Sequence, residues 1–558
     1  MKYIKLILIT LGIIPLLWRC EFLDYNELDQ YDKKDIFYEV GRVKNVLTNV
    51  YSYLPTDYSS IDGAMRASAS DDAEHVWDLS DIQKFNDGSW NSIAILDDQW
   101  SNMYSGIRTA NVFLNESKGL TFPDIQYNTG YIETMAQFAI YPYEARFLRA
   151  FFYFELIKRY GDVPLVTAVL TQDEVNDVVP ASFDEIVDFI VSECDTASAK
   201  LPVSYSAFTG QETGRATKGA AWALKARTLL YAASPLHNQA NDQSKWIAAA
   251  NASKTIIDSL SATYTPLPVY TLAVNSIAVT AKELIFERRM AASRSFETAN
   301  TAIGFIGGNT GTCPTQNLVD AYEMKATGKG INEAGSGYNS AAPYTGRDPR
   351  LDMTVLHNGS VWKTPLVVET WYGGLNAPPM PNATKTGYYI KKYMIESISL
   401  NPVNPGTSIH YWVIFRYGEV LLNYAEAMNE AYGPEGTGPT PLNMTALAAV
   451  NIVRSRPGVA MPNFPAGMTQ SAFRDKLRNE RRVELAFEDH RFWDIRRWKI
   501  GSSTTNIYGV DITKDASGIL TYTPKLVETR AWDDKMNLYP IPQTELFIND
   551  NLIQNTGW

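Results

Sequence analysis

The sequence predicts a mainly α protein: a scaffold of tetratricopeptide-like helix pairs carrying an irregular, loop-rich inserted subdomain. Three observations lead there. Amphipathic patterns, with apolar residues three and four apart, succeed one another along most of the chain, as stacked helix pairs require. Several of them are bounded by capping and terminating residues. Between Leu260 and Phe415 the pattern gives way to Gly, Pro and Asn clusters (IGGNTGT, NEAGSGYNSAAPYTG, WYGGLNAPPMPN), with only short strand-like pieces at 354–356 and 387–393. So long a stretch does not fit one loop of a compact domain, which makes it an insertion, and loop-rich segments on rigid scaffolds often carry binding. The helix pairs show no clean 34-residue period.

The chain opens with Lys2 and Lys5, then the uncharged run LILITLGIIPLLW from Leu6 to Trp18. That run is shorter than the ~20 residues needed to span a bilayer and reads as a signal-peptide core, with residues 1–19 the signal. Cys20 follows at the position where a bacterial lipoprotein is cleaved and acylated, although bulky Trp18 and Arg19 stand where small residues are usual. Residues 20–36 are acidic and poor in helix signals, as expected of a tether between anchor and folded body. An N-terminal helical part is then expected over 37–262, the irregular ligand-binding insertion over 263–414, and a C-terminal helical part with a closing segment over 415–558.

Within the helical parts, residues 97–117 place Asp97 and Asp98 in a first turn, where acids complement the helix dipole. Residues 143–160 carry one stripe of Leu148, Phe152 and Leu156 beside another of Phe147, Phe151 and Phe154, with Gly161 as terminator and Glu155–Arg159 as an i,i+4 pair. Ser182 and Glu185 form a capping box before residues 183–201. Gly219, Ala220, Ala223 and Ala226 in 215–235 permit close helix approach. Further helices are expected from Lys245, from Phe415, before Pro457, and over 471–498. Trp222, Trp493 and Trp498 lie on such helices and are expected in the core.

A formal charge of −11 and a pI near 5.2 argue against nucleic acid as a partner, since phosphate backbones need a broad basic surface. Three cysteines exclude a disulfide framework. The five histidines (His75, His237, His357, His410, His490) are too far apart to form a local ligand pair, and no HExxH, CxxC, GxSxG or P-loop occurs. No cofactor is expected; the acid pairs Asp71-Asp72 and Asp533-Asp534, which would be the places for a structural calcium, lack EF-hand spacing. Two carboxylates suffice for glycoside hydrolysis and can come from distant parts of a chain, so a secreted hydrolase stays open.

Seven strings, in this order, resemble the SusD/RagB family of surface-exposed nutrient-binding lipoproteins of Bacteroidetes. They are CEFLD from Cys20, EARFLRAFFYFELIKRYGDVPLV from Glu144, RATKGAAWALKARTLLYAASP from Arg215, RDPRL from Arg347, FRYGEVLLNYAEAMNE from Phe415, LRNERRVELAFEDHRFWDIRRW ending at Trp498, and NLYPIPQTELFINDNLIQNTGW ending at Trp558. The resemblance runs from Cys20 to Trp558 and implies a SusD-like helical fold, lipid attachment at Cys20 to the outer membrane, and capture of an oligosaccharide, polysaccharide or other nutrient at the cell surface. It further implies a SusC-like TonB-dependent transporter as partner. The charged residues of these strings read as helix-locking salt bridges rather than catalytic groups, and Asp348–Arg350 as a turn with an ion pair.

The sequence contains 32 Tyr and 13 Trp against 22 Phe, and such polar-tipped rings can sit half-wet at a surface. Sugars stack their C–H faces on Trp and Tyr while planar polar side chains bond their hydroxyls. Trp77, Trp90 and Asn91 in the polar 71–92 segment, and Tyr344, Trp362, Trp371 and Tyr372 in the insertion, are the candidate ligand-binding residues. A non-catalytic glycan binder is the leading expectation. A peptide or other nutrient binder would show a deep polar groove instead, and a hydrolase two carboxylates beside the aromatics.

Overall fold

The computed structural model describes residues 32–268 and 282–558. The predicted signal, Cys20 and most of the tether lie outside the described residues. The helices that build the scaffold row and its ends are α1 (Lys33–Tyr38), α2 (Val40–Ser52), α3 (Trp100–Glu116), α4 (Tyr141–Tyr160), α5 (Phe183–Ser198), α6 (Lys218–Ala233), α7 (Gln243–Ser259), α8 (Tyr417–Tyr432), α9 (Ala446–Arg454), α10 (Gln470–Glu484) and α11 (Arg491–Arg497). From α2 to α9 each packs against the next, and α8 also carries α10. The row continues directly from α7 to α8 although the insertion separates them in sequence. Among the described residues no helix is long and apolar enough to cross a membrane.

Helix α4 forms the centre. Its two apolar stripes predict burial on one side, yet nearly every side chain from Glu144 to Tyr160 is buried, because α2, α3 and α5 all pack on it. Its charged residues are neutralised in place: Glu155 meets Lys158 and Arg159 at 2.7 Å each, and Arg149 meets Glu193 of α5 at 2.6 Å. Gly106 lets α3 approach, since a Cβ there would come within 2.7 Å of the Phe152 ring. The capping box at Ser182 and Glu185 forms as the sequence indicates.

Several local expectations are corrected. Residues 33–36 belong to α1 rather than to a tether, because Asp32 and Asp35 make a reciprocal capping box. Asp97 is not in the first turn of a helix; it stands at φ 50°, and its carboxylate is buried between Arg66 and Arg159. The expected 471–498 helix is broken at 485–490, where Phe487 and Asp489 take left-handed conformations and Asp489 turns inward to pair with Arg66 at 2.6 Å. Trp222 is only half-buried, whereas Trp493 and Trp498 lie in the core.

The insertion begins and ends on a two-stranded antiparallel sheet, β2 (Leu284–Arg289) with β4 (Tyr411–Arg416), which fixes its base to the scaffold. Helix α8 therefore starts at Tyr417, after Phe415 and Arg416 have completed the strand. The short pieces marked by the sequence find each other: Val355–Leu356 pairs with Tyr389–Ile390. β1 (Ala73–His75) pairs with β3 (Thr312–Pro314), tying the N-terminal part to the insertion. A long hairpin follows α11, β5 (Asn506–Lys514) with β6 (Leu520–Thr529). The sequence reading passed it over, although Asp515-Ala-Ser-Gly518 is a turn signal and the flanks alternate.

Beneath the insertion runs a buried ion-pair network. Arg350, fully buried, reaches Asp348 at 2.6 Å, Glu480 at 2.7 Å and Glu484 at 2.8 Å. Arg416 reaches Glu283 and Glu484 at 2.8 Å and Glu488 at 2.7 Å, and Lys392 reaches Glu488 at 2.6 Å. Asp348–Arg350 is thus more than a turn: it bolts the insertion to α10.

Candidate functional site

The hairpin positions the candidate site. Ile512, Lys514 and Tyr522 share one of its faces, because side chains alternate along a strand and Tyr522 lies opposite Ile512. Two loop aromatics, Trp371 and Tyr344, gather on that face, and a third, Tyr372, is bonded to the outer edge of β5. The Tyr372 N–H donates to the Ile512 carbonyl at 2.7 Å, leaving its ring 65% exposed. The Lys514 ammonium sits 4.6 Å from the centroid of the half-buried Trp371 ring. Tyr344 meets Tyr522 edge-on at 5.7 Å and stacks on His357 at 3.9 Å.

Further along β5, Val510 N–H donates to Thr386, and the adjoining Lys385 binds Glu74, the His75 carbonyl and Asp78. Trp77, 36% exposed, lies in that 75–78 segment. The segment that carries Trp77 is thus tied to β5 through Lys385 and Thr386, two residues along the strand from the Tyr372 contact.

A cleft of about 1010 Å³ adjoins this rim, lined among others by Asp352, Trp362, Lys391, Glu396, Ser408 and Tyr411. Asp352 joins the two: it lines the cleft, and its carboxylate bonds His357 Nε2 at 2.8 Å, beneath the Tyr344 ring. That hydrogen bond holds the Asp352 carboxyl below its ordinary range.

Of the seven candidates, Trp77, Tyr344, Trp371 and Tyr372 keep surface. Trp90 does not: it is 2% exposed, packed against Phe85, Tyr539 and Trp558 at 4.5–5.1 Å, so no ring face is open to a ligand. Trp362 lines the cleft at 1% exposure, so it presents no stacking face either. Asn91 is exposed but occupied locally, its Oδ1 accepting from the Ile93 and Ala94 N–H groups. The suggested calcium positions are occupied by other chemistry. Asp71 is held by Arg482 and Arg491, and Asp72 by Arg482, while Asp533 caps the turn at Lys535. His357, Asp352, Lys514 and Tyr522 are not among the sequence candidates; for Lys514 and Tyr522 the alternation around Asp515–Gly518 is the signal that marks them.

Partly exposed rings, flanked by an ammonium and a carboxylate and carried on a helical-repeat scaffold, are the features of a binding protein. Residues 282–558 match the family model described as the SusD family, and residues 21–230 match the one described as starch-binding, associating with the outer membrane. Among curated proteins, SusD-like protein P25 of Formosa agariphila is 25% identical over 487 residues, covering 82% of this chain and 78% of the relative. A SusD-like protein of Bacteroides fragilis superposes with TM-score 0.77 at 27% identity, over 95% of this chain and 99% of that one. A SusD-like carbohydrate binding protein of the same organism superposes with TM-score 0.72 at 27% identity, over 93% and 100%. The chain belongs to the SusD family. Members are starch- or carbohydrate-binding proteins associated with the outer membrane.

Proposed function

We propose that this chain is a non-catalytic, surface-exposed lipoprotein of the outer membrane, anchored through acylated Cys20. It binds an oligosaccharide or polysaccharide and delivers it to a SusC-like TonB-dependent transporter. The observation that carries the reading is the gathering of Tyr344 and Trp371 on one face of the β5–β6 hairpin, beside Lys514, with Tyr372 bonded to the outer edge of β5 next to them. Trp77 keeps exposed ring surface on the segment that Lys385 ties to the same strand. Stacking rings and adjacent hydrogen-bonding groups are what a pyranose chain needs. A structural relative at 27% identity being a SusD-like carbohydrate binding protein supports the ligand class.

A hydrolase reading fares worse. A hydrolase needs one carboxyl raised toward neutrality as general acid beside an ionised one, and Asp352, the cleft carboxylate joined to the aromatic rim, is held low by His357 and does not fit the acid's role. The test is calorimetric titration of residues 21–558 with starch, laminarin and other glycan oligosaccharides, with product analysis on the same samples. Binding of at least one glycan, abolished in Trp371→Ala/Tyr372→Ala and without cleavage, is the expected result. No heat with any glycan, or released sugar, overturns it. Capture of the transporter from outer membranes by the lipidated chain, lost in Cys20→Ala, tests the remainder.

A further inference from the structure

The helical scaffold carries a cleft of its own, of about 570 Å³, to which the insertion contributes no wall. It lies where the α6–α7 turn faces α8, α10 and the end of α11. Its acceptors are already engaged. Both oxygens of Glu426 bind Arg497, at 2.6 and 2.8 Å, and one also takes the Trp498 Nε1–H at 2.7 Å. Both oxygens of Glu430 bind Arg474 at 2.5 Å. Each carboxylate is thus matched by its own guanidinium.

The donors are not. Arg478, one turn beyond Arg474, has its guanidinium carbon 4.5 Å from the Trp498 ring centroid, and its Nε is sealed from solvent with no acceptor. No hydrogen bond from its guanidinium to any oxygen occurs among the described residues. Burial, with the neighbouring cations Arg497 and Arg474, pushes its pKa below the ordinary arginine value against the pull of Glu426 and Glu430. Lys499 stands exposed at the rim in a left-handed conformation, φ 56°, and is unpaired among the described residues. Asn241 accepts the Trp246 Nε1–H at 3.1 Å through Oδ1, which leaves its NH₂ group as a third donor. On a chain of net charge −11, a cleft whose free groups are a guanidinium, an ammonium, the Asn241 NH₂ and the neutral amide of Gln239, with no free carboxylate, stands out.

We infer that this cleft binds the oxyanion of an acidic sugar, a uronate carboxylate or a sulfate ester. A planar guanidinium pairs such oxygens two at a time, and the volume falls within the ~300–1,000 Å³ usual for small-molecule sites. The site goes beyond the aromatic rim and does not depend on it.

Titration of residues 21–558 with glucuronate, galactose 6-sulfate, inorganic sulfate and neutral glucose, at constant ionic strength and observed by ligand NMR and calorimetry, tests the inference. Expected is millimolar or tighter binding of glucuronate or galactose 6-sulfate, the stronger of the two naming the source, with none of glucose. Arg478→Gln should weaken it about tenfold or more at unchanged melting temperature, and Trp371→Ala/Tyr372→Ala should leave it intact. Lys499→Gln, at an exposed position, reads the same loss more weakly should Arg478→Gln fail to fold. Binding of inorganic sulfate without either acidic sugar, equal binding of glucose, or indifference to both substitutions overturns the proposal.

Discussion

The insertion meets the rest of the molecule in two opposite ways. At its base, Arg350, Arg416 and Lys392 are wholly buried, and every charge meets a counter-charge from α10, the segment after it, or Glu283. At its hairpin edge Tyr372 points into solvent, Trp371 is half-covered, and Lys514 rests on a ring rather than a carboxylate. The base closes on itself; the edge keeps surface for something else. Two of the strings that carry the family resemblance, RDPRL and the NERRVELAFEDHR part of the string ending at Trp498, build the closed base. The open edge comes from ordinary-looking loop sequence.

The largest effect that would break this contrast is expected at the base. Glu484→Gln leaves Arg350, Arg416 and Arg456 facing an uncharged amide, and removing one partner of a buried pair costs about 3–5 kcal/mol. Urea unfolding at neutral pH should show that loss; an unchanged midpoint and slope would mean that the network does not hold the insertion down. Trp90→Ala comes next, at about 3 kcal/mol, because it empties a cluster that seats the C-terminal Trp558. Glycan affinity of the folded fraction should stay as it was, which separates Trp90 from the open rings.

Acid probes the charged core more gently. Burial alone would raise the Glu484 and Glu426 carboxyls. The guanidinium groups of Arg456, Arg416 and Arg350 around Glu484, and of Arg497 beside Glu426, outweigh it, so Glu484 stands well below its usual range and Glu426 at about 2. A carboxyl lowered in the folded state stabilises above its unfolded value, near 4.3, and loses that stabilisation as pH falls through the folded value. The melting temperature should therefore drop between about pH 4 and pH 2, and Glu484→Gln should flatten that drop. The smallest change in stability belongs to the edge: Tyr372→Ala should alter unfolding by less than about 0.5 kcal/mol. Its glycan affinity should fall about tenfold, which is ~1.4 kcal/mol by calorimetry.

Much of the scaffold was legible. The stripes of 143–160, the stop at Gly161 and the capping box at Ser182 are signals within a few residues of the structure they specify, and each helix appears where they put it. The break at 485–490 was not, because helix-forming residues continue through it and the cause is distant: Asp489 turns inward to Arg66. The site was legible as a composition and not as a choice. Trp77 and Trp90 stand in the same polar segment, yet one keeps a face and the other is sealed by Tyr539 and Trp558 from the far end of the chain.

What the sequence determined by itself is therefore the helical scaffold, the place of the insertion and the supply of rings and charges, since periodicity and capping act over one or two turns. Only the tertiary structure decided which rings stay open, which arginines find carboxylates and that Arg478 finds none. Burial and pairing depend on partners brought together from tens to hundreds of residues away.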